Sequence, residues 1–192
     1  MASNFLDILN QLHDHHVDFI IAGGVAAALH GSPRVTFDLD VVPSLAPHSW
    51  TAAVELLWSV GARPRIPEPL ERIRDVEQVQ RWRQEKGMLA LNFRSPDGRT
   101  EVDLLVSQGD RFDALRQHAS KVTIDHRTFF VASIDDLIDM KQQAGRRISW
   151  TSRTWKRSNG ASASWIQAAF QEGLRHFREV LHYVELNIMG HS

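Results

Sequence analysis

The chain has 192 residues, of which 43% are hydrophobic and 23% are charged, and its formal net charge is -1. This composition suffices for one globular domain with a buried core, and the near-zero charge gives no overall attraction to nucleic acid or membrane. The absence of cysteine excludes disulfides, thiol catalysis and zinc–thiolate sites.

The chain up to residue 60 is predicted to alternate between helices and strands. Phe5, Ile8 and Leu12 recur at helical spacing, residues 17–22 are an apolar, β-branched run, and Gly31 is a natural helix C-terminal cap. In chain order the predicted elements are a helix at residues 4–16, a strand at 17–22, a helix at 25–30, a strand at 35–42 and a helix at 49–60.

The chain from residue 61 to 146 is predicted to hold two hairpins between two helices. Prolines indicate a loop at residues 63–69, residues 95–98 are a Ser-Pro-Asp-Gly turn signal, and Ser133 with Asp136 fits a capping box. The predicted elements are a helix at 70–85, strands at 88–93, 100–106, 122–124 and 128–131, and a helix from 133 to about 145. This order predicts an α+β domain over residues 1–146, with a mixed β-sheet and flanking helices.

Asp38 and Asp40 are two apart in a predicted strand, so both carboxylates leave the same face. Adjacent carboxylates repel each other unless a cation or a proton lies between them, and Mg²⁺ prefers oxygen ligands. The pair is therefore a candidate metal site. The alternative is a solvent-facing strand with two incidental acids.

Gly23-Gly24 joins a predicted buried strand to a helix. Glycine allows close approach of a ligand to the backbone, and a helix N-terminus suits a phosphate. The alternative is a plain strand-to-helix turn. The segment matches neither a P-loop nor a dinucleotide-binding fingerprint.

Asp103 lies on another predicted strand, between Val102 and Leu104. If that strand lies beside the one with Asp38 and Asp40, the acids complete a three-carboxylate cluster, which suits phosphoryl chemistry with two metal ions. Glu101 shares the face of Asp103 but is expected roughly 6–7 Å further along the strand.

These motifs together resemble the DNA polymerase β-like nucleotidyltransferase superfamily. The string from Gly23-Gly24 through Gly31, Arg34 and Thr36 to Asp-Leu-Asp is similar to its small bacterial branch, the minimal nucleotidyltransferases and the AbiEii-type toxins. The resemblance covers roughly residues 5–146. It implies a nucleotidyltransferase-like fold and transfer of a nucleotide from an NTP with Mg²⁺ (or Mn²⁺).

The resemblance also implies roles for individual residues. Asp38, Asp40 and Asp103 fall on the catalytic, metal-binding carboxylates, and Gly23 and Gly24 fall on glycines that contact the triphosphate. The remaining substrate-binding positions are Arg34, Thr36 and Lys141. Arg34 contacts phosphate or holds the loop, and both interpretations remain open.

Residues 147–192 are an atypical basic, Trp-rich tail, with a possible helix at 167–184. In the small bacterial branch an acidic helix usually follows the lysine helix, whereas residues 148–159 contain no acid. Residues 147–160 can be back-translated so that the frame beginning at the third base encodes Asp-Ile-Leu-Asp-Val-Glu-Asp-Val-Glu-Ala-Leu-Glu-Trp. One hypothesis is a frame-shifted tail, and the alternative is a genuine basic segment for RNA; sequencing the gene distinguishes them.

Two other polar groups have simpler interpretations. The segment His13-Asp14-His15-His16 fits a helix end better than a metal site. The arginine group comprises Arg72, Arg74, Arg81 and Arg83. It is interpreted as a solvated helix face or, alternatively, as an edge that binds the acceptor. Trp82 within this group is packed or stacks a base.

The leading hypothesis is therefore a Mg²⁺-dependent nucleotidyltransferase acting on a protein or RNA acceptor, in a toxin–antitoxin or phage-defence system. The alternatives are a non-catalytic partner module of a toxin–antitoxin pair and a metal-dependent phosphohydrolase. We expect a cytoplasmic protein without membrane contact, because the sequence has neither a membrane-length apolar run nor a signal-like start.

Overall fold

A computed structural model describes residues 5–32, 36 and 38–144 of the chain. The tail at 147–192, with its possible helix and the frame-shift hypothesis, and Arg34 lie outside these residues, and the domain boundary after residue 146 stays a prediction. Among the helices described, none is both long enough and apolar enough to cross a bilayer.

The described chain folds into helices around one sheet. The helices are α1 (Phe5–Asp14), α2 (Gly23–Leu29), α3 (Pro47–Ser59), α4 (Leu70–Ile73), α5 (Val76–Lys86), a 3₁₀ helix (Val106–Arg111), α6 (Phe112–His118) and α7 (Ile134–Gln143). The strands are β1 (Phe19–Ile21), β2 (Asp38–Pro43), β3 (Arg63–Pro64), β4 (Leu91–Arg94), β5 (Glu101–Leu104), β6 (Ser120–Ile124) and β7 (Arg127–Val131).

The sheet is mixed, with its seven strands in the order β3-β4-β5-β2-β1-β7-β6. β2 pairs in parallel with β5, and β1 pairs in parallel with β7. The other neighbouring strands are antiparallel, including the two predicted hairpins β4–β5 and β6–β7. The α+β class with a mixed sheet and flanking helices is confirmed.

Both faces of the central strands are covered. Ile21 on β1 and Leu39 on β2 lie in the larger core, which α1, α2, α3 and α5 complete. Ile20 and Val42 point the other way, into a smaller core with side chains of α6 and α7. Because strand side chains alternate, every residue of β1 is buried, which explains its continuous apolar run.

Five features of the structure differ from the prediction. α2 begins at Gly23, so the two glycines open the helix instead of preceding it. The helix predicted at 70–85 is two helices, because the Asp75 side chain accepts hydrogen bonds from the N–H groups of Glu77 and Gln78 and caps α5. The loop predicted at 63–69 contains the two-residue strand β3, and the 3₁₀ helix and α6 were not predicted.

Candidate active site

The face of β2 that carries Asp38, Asp40 and Val42 changes from exposed at Asp38 to buried at Val42. Val42 is fully buried with Phe112 and Leu115, Asp40 is half-buried and Asp38 is exposed. The side chains of α6 and α7 thus cover the Val42 end of this face more fully than the Asp38 end. The two carboxylates lie on the more open part of this face, as the alternation in the sequence predicts.

Asp103 lies directly beside Asp40. The parallel pairing of β2 with β5 places Asp40 opposite Asp103, and the antiparallel pairing of β5 with β4 places Asp103 opposite Asn92. The Asn92 Nδ2 group donates a 2.7 Å hydrogen bond to Asp103 Oδ1. A row of Asp40, Asp103 and Asn92 therefore crosses three strands on one face, and the strand adjacency expected for Asp103 is present.

A second row lies one step towards the start of β2. Asp38 is opposite Glu101, and Glu101 is opposite Arg94. Arg65 lies 3.5 Å from Glu101 Oε2, and Arg94 lies 3.6 Å from Glu101 Oε1. Glu101 was expected only to lie away from Asp103 along β5; the register makes it the neighbour of Asp38.

The two glycines are packed against residues of the site. Gly23 has φ +57, in the left-handed region, and a Cβ there would overlap the Asp40 carboxylate. A Cβ on Gly24 would lie 2.6 Å from both Cβ and Oγ1 of Thr36. The Ala22 N–H donates to the Asp40 carbonyl at 2.9 Å, which joins this turn to β2. The side chains that lie close to these two glycines are therefore Asp40 and Thr36 of the same chain.

Thr36 lies beside the start of β2. Its Oγ1 is 3.3 Å from the Asp38 carbonyl oxygen and accepts from the Asp38 N–H at 3.4 Å. These contacts place Thr36 between Gly24 and Asp38, the first of the candidate metal ligands. Its role in binding substrate stays a prediction.

Lys141 lies in the last turn of α7 and is half-buried. Gln108, in the 3₁₀ helix after β5, donates a 3.1 Å hydrogen bond from Nε2 to Gln143 Oε1 at the end of the same helix. Because β5 is parallel to β2, that 3₁₀ helix lies at the Pro43 end of β2. The contact of Lys141 with phosphate stays a prediction.

The donor set fits Mg²⁺ in its chemistry, since carboxylate oxygens are the ligands that this ion prefers. In the part of the chain that the structure describes, however, no group of three or more histidine and acidic side chains is arranged to hold a metal ion. Asp40 packs against Gly23 and Asp103 accepts from Asn92. The metal-binding role of Asp38, Asp40 and Asp103 stays a prediction.

His30 follows α2 and holds its C-terminal end. Its Nε2 donates to the Ala132 carbonyl at 2.8 Å, at the point where β7 leads into α7. Burial lowers the pKa of His30 below its usual value, so the ring is neutral at physiological pH and keeps this proton on Nε2. α2, which starts the site, is thereby fixed to the rest of the domain.

The arginine group has partners within the chain, as expected of a solvated helix face. The distances are 2.8 Å for Arg72–Glu68, 3.2 Å for Arg74–Glu55, 3.1 Å for Arg81–Gln78 and 2.6 Å for Arg83–Asp110. Trp82 is buried and packed. These contacts favour the simpler interpretation over an acceptor-binding edge.

The chain is similar to a known protein only in its three-dimensional structure, and this similarity is low. No protein-family model and no curated protein matches the chain. Among solved structures, the antibiotic-resistance factor ANT(2'')-Ia is similar over 96% of this chain and 94% of its own, with 14% sequence identity and a TM-score of 0.41. The chemistry of the site is therefore inferred from the chain's own residues.

Proposed function

We propose that the chain is a metal-dependent nucleotidyltransferase that moves a nucleoside monophosphate from an NTP to a protein or RNA acceptor. The observation that supports this best is the register of β2 and β5. It places Asp103 opposite Asp40, with Asp38 on the same open face. Closely spaced carboxylates on an accessible face repel one another and gain from a divalent cation.

Asp38, Asp40 and Asp103 are the residues that would hold Mg²⁺ (or Mn²⁺). When bound, the ions would stabilise charge on the triphosphate and favour ionisation of the acceptor hydroxyl. The three carboxylates lie on two neighbouring strands, β2 and β5. Four consecutive residue pairs fix the register of these strands and hence the relative positions of the carboxylates. Asp103 would also help to deprotonate the acceptor hydroxyl.

The turn at Gly23 and Gly24 lies against Asp40 and Thr36 and supplies the surface for the triphosphate. Arg34 precedes this strand in the sequence and would contact phosphate or hold the loop. Lys141 would reach the phosphates from the last turn of α7. Within this proposal, these substrate-binding roles come from the resemblance of the motifs.

The deciding experiment is incubation of the chain with each α-labelled NTP, Mg²⁺ and a cell lysate. Label transferred to one protein or RNA band by the natural chain, but not by the Asp38→Asn/Asp40→Asn variant, would support the proposal. Equal labelling by the variant would refute the assignment of the site. Release of inorganic phosphate without labelled acceptor would indicate a phosphohydrolase.

A non-catalytic partner module of a toxin–antitoxin pair is the second candidate. It is favoured by the absence, within the described residues, of a ready-made group of three metal-binding side chains. Isothermal titration with Mg²⁺-NTP separates the two: the enzyme should release binding heat, and the module should not. A cognate antitoxin or toxin would then be the partner to seek.

A further inference from the structure

We propose that Asn92 is a positioning residue that orients the Asp103 carboxylate as an anionic ligand for a divalent cation. The inference deepens the proposed function and rests on it. Asn92 belongs to no motif of the sequence and lies on a different strand from the candidate ligands. Only the register of β4 with β5 brings it to Asp103.

The geometry fixes the carboxylate strongly. The hydrogen bond from Asn92 Nδ2 to Asp103 Oδ1 is 2.7 Å long, at the short end of the range for an N–H donor. Asn92 is itself half-buried, and its backbone carbonyl accepts from the Arg65 N–H at 2.9 Å. The backbone of Asn92 is therefore held by the residue that follows β3, while its side chain holds Asp103.

The chemistry of the donor suits a cation site. An amide N–H is neutral, so it directs one carboxylate oxygen without cancelling the negative charge. One such bond also occupies only one of about four lone-pair positions on the carboxylate. A lysine or arginine at position 92 would compete with a metal ion for the same charge.

The neighbouring row provides an internal contrast. On the same two strands and the same face, Glu101 faces two arginines, Arg65 and Arg94. The acid opposite Asp38 is thus given cationic partners, whereas β4 offers the acid opposite Asp40 a neutral amide. The β4 side chain opposite each acid therefore differs: a guanidinium lies opposite Glu101, and an amide that donates to one carboxylate oxygen lies opposite Asp103.

The test is a double-mutant cycle read by Mn²⁺ binding to the full chain, followed by electron paramagnetic resonance. Asn92→Ala should weaken Mn²⁺ binding by about 10–100-fold, as expected when a group that orients a metal ligand is removed. In the Asp103→Ala background, the same change should cause no further loss. Asn92→Leu keeps the branched shape without the amide and serves if the alanine variant is unstable. Arg94→Ala, on the same strand and face, is the matched control and should bind Mn²⁺ like the natural chain.

A second readout needs neither metal nor activity. The side-chain amide protons of Asn92, observed by NMR, should shift and exchange faster in Asp103→Ala. Unchanged Mn²⁺ affinity in Asn92→Ala, or an equal loss with and without Asp103, would overturn the inference alone. A natural chain that transfers no label and binds no Mn²⁺ would overturn the proposed function and this inference with it.

Discussion

At the scale of single residues, the two rows on the open face give neighbouring acids different roles. Asp103 lies opposite Asp40, whereas Glu101 lies between Asp38 and Arg94 and has arginines near both of its carboxylate oxygens. A carboxylate next to guanidinium groups is a poorer ligand for a cation than one next to an amide. The two acids of β5 are therefore separable by mutation.

Asp103→Ala should abolish nucleotide transfer and weaken the binding of Mn²⁺ in the absence of nucleotide, whereas Mg²⁺-NTP binding is mostly kept, because Asp38 and Asp40 remain for the metal that the triphosphate carries. Glu101→Gln should lower the transfer rate only mildly, because it removes a charge that is already balanced by Arg65 and Arg94. Single-turnover transfer rates and titration with Mg²⁺-NTP check both. Equal loss of activity in the two variants would mean that charge on this face matters but its position does not.

Asp38→Asn or Asp40→Asn should abolish transfer and leave the fold intact. Removing one of two facing charges also relieves repulsion, so the metal-free melting temperature should rise slightly. Activity and thermal unfolding without divalent cations check this. Activity that persists in the double variant would remove both aspartates from the catalytic assignment.

How much of the site could be predicted from sequence depends on which contacts are local. Asp38 and Asp40 share a face because of strand alternation, which is visible in three consecutive residues. The pairing of Asp103 with Asp40 was only a conditional expectation, since register between distant strands is set by packing and turns. Asn92 and the proximity of Glu101 to Asp38 could not be predicted, because they depend on the same register across two strand pairs.

At the scale of secondary-structure elements, capping was predictable where its signal was local. Ser133 accepts a hydrogen bond from the Asp136 N–H at 3.2 Å, as the capping box predicts. The Ser133 hydroxyl also donates to Asp136 Oδ2 at 2.5 Å, so the acid contacts the cap through the side chain of Ser133. The break between α4 and α5 was missed because the charged segment is helical on both sides of Asp75. α6 was missed because it is short and depends on burial of Phe112 and Leu115 in the smaller core.

Ser133→Ala should destabilise the domain by about 1–2 kcal/mol, the usual cost of losing a helix N-cap. The buried Asp136 carboxylate also loses a hydrogen bond, so the upper part of this range is expected. Urea unfolding measures the change, and Ser133→Thr, which keeps a hydroxyl cap, is the control. A threonine variant as unstable as the alanine variant would show that the hydroxyl is not what matters.

The start of α2 gives a different expectation from the sequence alone. In the sequence, Gly24 was interpreted only as a residue that contacts the triphosphate or as part of a turn. Because a Cβ there would lie 2.6 Å from Thr36, Gly24→Ala should also destabilise the fold, by roughly 1–3 kcal/mol as in other overpacked sites.

The Gly24/Thr36 contact can be tested separately from nucleotide binding. Thr36→Gly, combined with Gly24→Ala, should recover much of the lost stability, because the obstructing side chain is removed. Urea unfolding of the single and double variants gives the coupling energy. Additive losses would indicate that the alanine strains α2 for another reason.

At the scale of the whole molecule, a bidentate ion pair joins the first helix to the last strand of the described chain. The Nε and NH2 groups of Arg127 on β7 each donate a 2.8 Å hydrogen bond to Asp14 at the end of α1. The segment around Asp14, which resembled a metal site in sequence, thus fastens α1 to the β6–β7 hairpin. His13 supports the same junction through an edge-to-face contact with Phe129.

This ion pair predicts a specific dependence of stability on pH. The hydrogen bonds from Arg127 lower the pKa of Asp14 from its usual 3.8 to about 2. A carboxyl whose pKa is lower in the folded than in the unfolded chain stabilises the fold above the unfolded value and loses that contribution as pH falls through the folded value. Asp14→Asn should therefore lower the free energy of unfolding at pH 6, and this deficit should shrink as the pH falls from about 4 to about 2. The pair is exposed to solvent, so the deficit should be small and should decrease with added salt. Urea unfolding of both proteins across this pH range measures it, with Arg127→Gln as the reference background in which Asp14→Asn should have a smaller pH-dependent effect, because only His13 then lowers the pKa of Asp14. A deficit that stays constant down to pH 2 would show that Asp14 stabilises the junction by its shape and not by its charge.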